Sequence, residues 1–131
     1  CHALQVINHL QDCADDHRTL DRVYIPEPWL AAEGLDVAVL GRAQAPPGLR
    51  RVVDRLLDGT DALLAVSREL APSVRDRRLA LEIGAIQALA ERLVRELRRR
   101  DPLAERVALT KPAMLATGLG GAVRAGWRRL R

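Results

Sequence analysis

A chain of 131 residues that is 48% apolar and 29% charged is the size and make-up of one globular domain rather than a disordered segment. Its three aromatics and absence of Phe, beside abundant Leu, Ala and Val, argue against a β-sandwich and for packed helices. The net charge of +4, carried almost wholly by arginine, suits an anionic partner. With no aromatic platform among the arginines and no zinc-finger spacing, nucleic acid is not the expected one.

Helical periodicity is under way at once, with Leu4, Ile7 and Leu10 or Gln11 on one face and no capping Ser, Thr or Asp before them. The pattern predicts a helix from about residue 2 to Asp16 that was entered in its middle, so that the chain is a piece of something longer. Cys1 and Cys13 form no disulfide framework and are expected reduced in a cytoplasmic protein, each as a small buried hydrophobe. No apolar run reaches the length of a membrane span and no signal peptide is visible. The polar string HRTLDRVYIP then connects to EPWLAAEG, a short helix with Pro28 near its start and Gly34 past its end. LDVAVLGRAQAPPG reads as another short helical turn followed by a loop.

The next periodic segment covers roughly 48 to 71 and is stopped by Pro72. Its acids Asp54, Asp58 and Asp61 alternate with Arg and read as a solvated face. From Ser73, as N-cap, a long helix is predicted to about Arg100, with Leu79, Ile83, Ile86, Leu93 and Leu97 as its apolar stripe. The arginines at 75, 77 and 78 read as a solvated helix start, and those at 92, 95, 98, 99 and 100 as partners of the C-terminal dipole. Asp101-Pro102 is a boundary. A final helix follows Lys111-Pro112, loosened by glycines at 118, 120 and 121. Its basic end, Arg124, Trp127, Arg128, Arg129 and Arg131, is a candidate contact for an anionic membrane surface. No internal repeat or separate linker is present, and the expected fold is an all-α antiparallel bundle.

The first helix carries the least ordinary chemistry. Gln5, Asn8, Asp12 and Asp16 follow at spacings of 3, 4 and 4, which puts amides and carboxylates on one stripe. Two carboxylates one turn apart repel each other, and a divalent cation reverses the sign of that interaction. The string holds no cation before Arg18. A D-x-x-x-D pair alone is common on solvated helices. His2, His9 and His17 do not complete a zinc set with the cysteines.

Taken whole, Q-x-x-N-x-x-x-D-x-x-x-D followed by R-V-Y-I-P resembles the squalene and phytoene synthases, the head-to-head branch of the all-α isoprenoid synthases. Gln5, Asn8, Asp12, Asp16, Arg22, Tyr24 and Pro26 carry the match. The strings INHLQDCADDHRTLDRVYIP, DRRLALEIGAIQALAERL and DPLAERVALTKP are most similar to the hopanoid-pathway, hydroxysqualene-forming branch of that family.

The resemblance implies that residues 1–131 are the C-terminal portion of one such domain, lacking an N-terminal half that bears a first aspartate-rich motif. It implies Mg²⁺ held by Asp12 and Asp16 against a prenyl diphosphate, presqualene or farnesyl diphosphate. Gln5 and Asn8 would line the cavity beside it, and Arg22 and Tyr24 would close its mouth. Arg22 would contact the diphosphate, and Tyr24, Asn8 and Gln5 would serve the reacting cation. Many relatives carry a basic residue where this chain has Gln11, so one diphosphate contact is in question. The implied reaction is ionisation of the diphosphate, rearrangement and capture of the cation, in the cytoplasm or at the inner membrane. Presqualene diphosphate or phytoene synthesis stays open within the family, and a non-catalytic helical interaction module stays open outside it. The chain alone is expected to be inactive.

Overall fold

A computed structural model describes residues 2–128, so Cys1, Arg129 and Arg131 lie outside the described residues. Six α-helices and one 3₁₀ turn follow one another, with no β-strand among the described residues. They are α1 (His2–Leu20), α2 (Glu27–Ala32), the 3₁₀ turn Val37–Gly41, α3 (Pro47–Ser67), α4 (Leu70–Ser73), α5 (Arg77–Arg99) and α6 (Lys111–Arg128). The all-α class read from composition is the observed one.

The main core lies where α1, α3 and the C-terminal part of α5 meet. Ile7 and Leu10 of α1 are buried there with Val53 and Leu57 of α3 and Val94 and Leu97 of α5. Leu30, the 3₁₀ residues Val39 and Leu40, and Val107 close its edges. Each fully buried side chain of this size contributes roughly 1.5–3 kcal/mol, which is why the apolar periodicity of α1 and α3 points into this core. Thr60 is buried too, and its hydroxyl donates to the Leu56 carbonyl at 2.8 Å, so Gly59-Thr60-Asp61 leaves α3 unbroken.

Several boundaries differ from the sequence reading. Helix α1 continues past Asp16 through His17–Leu20, because Asp21 takes the left-handed turn (φ 50°) and ends it. Aspartate tolerates that region better than most residues. Helix α3 stops at Ser67, and Pro72 sits inside the separate turn α4. Asp76, not Ser73, caps α5: its carboxylate accepts the Leu79 N–H at 2.8 Å, while Ser73 donates to the Leu70 carbonyl.

The larger correction concerns α5 and α6. Leu79 and Ile86 of the expected stripe are exposed. The face buried against α6 is built instead from Ala80, Gly84 and Ala88, at successive i+4 positions. Gly121 and Ala125 meet it from α6. A Cβ on Gly121 would lie 2.4 Å from the Gly84 carbonyl oxygen, and one on Gly84 would lie 2.4 Å from the Ala125 methyl. Gly84 and Gly121 let two backbones approach more closely than larger side chains permit, and α6 runs unbroken from 111 to 128 through its glycines.

The charged runs are mostly paired at the surface. Arg98 bridges Asp58 and Asp61 at 2.7 and 2.8 Å, and Arg78 pairs with Glu82. Arg50 of α3 ties two helices: it donates to the Leu97 carbonyl at 2.7 Å and the Arg100 carbonyl at 3.0 Å, and pairs with Asp54. None of the described helices is long and apolar enough to cross a membrane.

Candidate functional site

Helix α1 has two chemically distinct faces. Ala3, Ile7, Leu10 and Cys13 point into the protein. Gln5, Asn8, Asp12 and Asp16 share the outward stripe, with Gln5 and Asn8 exposed and the two aspartates half-buried. The structure leaves this stripe on an open face. Among the described residues no second layer of helix covers Gln5 and Asn8.

The turn at Asp21 brings the chain back toward that stripe. The Arg22 N–H donates to the Asp16 carbonyl at 3.2 Å, which ties the RVYIP segment to the end of α1. Tyr24 then stacks on His9, with ring centroids 3.7 Å apart and planes 15° from parallel. His9 stands next to Asn8 in the helix, so Tyr24 reaches the edge of the stripe. Arg22 is exposed, with no ion pair among the described residues. Asp15 points to one side and pairs with Arg18.

One cation reaches the stripe that the sequence reading did not place there. Arg106 donates through Nε to Asp12 at 2.6 Å, across 94 positions of sequence. Its approach depends on Gln11, whose side-chain amide donates to the carbonyl of Val107, the next residue. Asp101 holds the start of the same connection by accepting the Ala45 and Leu103 N–H groups at 2.7 and 2.8 Å. Gln11 thus moors the loop through its amide, and the loop supplies the cation. Nothing local in ERV marks Arg106. Only the packing of the 101–110 connection on α1 reveals it.

Beside the stripe lies an apolar recess of about 300 Å³ between α1, α5 and the start of α6. Leu4 and Gln11 line it from α1, Ile86, Leu89 and Leu93 from α5, and Met114 from α6. Gln11 therefore touches both the recess and the loop that carries Arg106. On the inner side of α1, burial pushes the Cys13 thiol up to about 11 and keeps it a neutral, space-filling group.

Two carboxylates one turn apart, both oxygen donors and both reachable by solvent, are the set that a hard divalent cation shares with phosphate oxygens. The Arg106 guanidinium beside Asp12 shows that a positive charge is accommodated there. No third His, Cys, Asp or Glu joins them in a metal-binding group among the described residues. The fit is therefore to a metal that completes its shell with a ligand's oxygens and water.

Comparison with known proteins matches residues 1–113 to the family described as squalene/phytoene synthase. The chain is 46% identical over 123 residues to a hydroxysqualene synthase of Rhodopseudomonas palustris, covering 94% of this chain and 42% of that protein. It is 44% identical over 107 residues to a hydroxysqualene synthase of Zymomonas mobilis, covering 82% and 36%. A third hydroxysqualene synthase, of Sinorhizobium fredii, is 38% identical over 129 residues, covering 98% and 44%. No solved structure matches the chain significantly. The chain spans less than half the length of these curated relatives. It belongs to the squalene/phytoene synthase family.

Proposed function

We propose that this chain is the aspartate-bearing part of a hydroxysqualene-synthase-like enzyme that ionises presqualene diphosphate with Mg²⁺ and lets water capture the cation. The observation that carries this reading is the juxtaposition at α1: Asp12 and Asp16 on the outward stripe, Arg106 on Asp12, and an apolar recess on the Gln11 side, from which the Arg106 loop also comes. A prenyl diphosphate has the same two halves, a dense anion and a long hydrocarbon.

Asp12 and Asp16 would hold the metal, which when bound neutralises the leaving diphosphate as a Lewis acid. Arg106 turns from Asp12 to the diphosphate once the carboxylate is otherwise engaged, and its planar fork suits two phosphate oxygens. Arg22, on the segment that follows α1, adds a second guanidinium. Gln5 and Asn8 offer amide dipoles along the same stripe to the ionised substrate. Tyr24, stacked on His9, covers the reacting carbon and limits the access of water. Leu4, Ile86 and Leu93 hold the hydrocarbon, and their lack of nucleophilic atoms protects a carbocation.

The chain by itself is proposed to be inactive, since a second carboxylate-bearing helix facing Asp12 and Asp16 is not among the described residues. The test is a chimera in which this chain replaces the matching part of the Rhodopseudomonas palustris relative. Mg²⁺-dependent diphosphate release from presqualene diphosphate is expected, falling about 100-fold in Asp12→Ala and in Asp16→Ala. Arg106→Ala should raise KM for the diphosphate. Unchanged turnover in both aspartate variants would remove the site assignment. Product analysis separates hydroxysqualene from squalene, presqualene diphosphate and phytoene. A folded but inactive chimera would favour a helical interaction module.

A further inference from the structure

The outward face of α6 is apolar along its whole length and covered by nothing among the described residues. Leu115, Leu119 and Val123 follow at i+4 spacing and are 68%, 60% and 68% exposed, and Trp127 continues the row at 64%. Ala116 and Gly120 fill the positions between them. This face turns away from the Gly121–Ala125 seam that binds α6 to α5, so the fold does not need it for its own core. From Leu115 to Trp127 the row spans about 18 Å at 1.5 Å per residue.

Charge says what covers it. Lys111–Arg128 contains no Asp or Glu, and its three charges are Lys111, Arg124 and Arg128. Helical geometry puts Lys111 on one flank of the apolar row and the two arginines on the other. Arg124 and Arg128 also line a polar recess of about 270 Å³ at the junction with α3 and α5, where Arg68 is a third cation against the single carboxylate of Glu91. Two copies docked through α6 alone would set Lys111, Arg124 and Arg128 of one against the same cations of the other. An apolar row with Trp at one end and cations on both flanks matches a bilayer interface with anionic headgroups.

We propose that α6 docks the protein on an anionic lipid surface, with Leu115, Leu119, Val123 and Trp127 entering the acyl boundary and Arg124 and Arg128 engaging lipid phosphates. Asp12 and Asp16 take no part in this surface, so the inference stands apart from the catalytic reading.

Co-sedimentation with vesicles tests it. The chain should bind vesicles of phosphatidylglycerol and phosphatidylcholine in equal parts at least about tenfold more strongly than phosphatidylcholine alone. Trp127 emission should shift to the blue on binding, a change absent in Trp127→Phe. The pair Arg124→Gln/Arg128→Gln should lower partitioning by about tenfold or more. Leu119→Ser/Val123→Ser should do the same with an unchanged Tm, and Asp12→Ala should bind normally. Equal binding to both vesicle types, or none, would overturn the proposal. So would a lipid-free dimer that Leu119→Ser/Val123→Ser dissolves. Loss of vesicle binding in the chimera would also overturn it, since protein would then cover this face.

Discussion

Asp12 shows how one residue answers to two distant parts of the chain. Its place on the stripe follows from helical spacing, yet its partner comes from a loop 94 positions away. The pair is largely exposed at the arginine, so its own contribution to stability is small, of the order of 0.2–1 kcal/mol. That weakness is compatible with the proposed exchange of this contact for a diphosphate oxygen. Cys13, one residue on, behaves in the opposite way. Burial holds its thiol at about 11 against an ordinary value of 9.0. Between these values the unfolded chain loses the proton while the folded chain keeps it, so folding stability falls as pH rises through this window. The slope approaches about 1.4 kcal/mol per pH unit inside this window, for a loss of roughly 2 kcal/mol by pH 11. Urea unfolding of wild type and Cys13→Ala at pH 8, 9 and 10.5, where only wild type carries this slope, measures it.

Among the elements, α5 and α6 illustrate a face that periodicity ranks wrongly. The sequence marks Leu79 and Ile86 as core because they are large and apolar, but burial goes to Ala80, Gly84 and Ala88. Small residues win because they allow close helix approach, and the dispersion gained along two touching backbones offsets the missing side-chain area. Gly84→Ala and Gly121→Ala should each cost about 1–3 kcal/mol and lower Tm by roughly 5–10 °C, because the added methyl meets backbone. Gly59→Ala in α3 is the control. Its Cβ meets nothing within 4 Å, and the substitution should stabilise by about 0.5–1 kcal/mol. Thermal unfolding by circular dichroism distinguishes the two classes.

At the scale of the whole molecule, the connections between helices matter more than their order suggests. Arg50 fastens α3 to two carbonyls at the end of α5, and Asp101 holds Ala45 and Leu103 just beyond. Together they fix where residues 101–110 leave the bundle, and so where Arg106 arrives. Arg50→Met should destabilise by about 2–3 kcal/mol in urea unfolding, since two buried-end carbonyls lose a charged donor. Amide exchange around 103–108 should quicken in the same variant, a local effect that a general loss of stability would not confine there.

What the sequence determined by itself was whatever repeats along one helix. The all-α class, the apolar inner face of α1, the Gln5–Asn8–Asp12–Asp16 stripe and the Asp101-Pro102 break are all short-range patterns, set by 3.6 residues per turn and by proline. The tertiary structure alone decided the contacts between elements. These are the seating of Arg106 on Asp12 by way of Gln11, the stacking of Tyr24 on His9, and the glycine seam that leaves the leucines of α6 facing outward. Such contacts depend on which faces meet and how closely, and helical spacing carries no information about that.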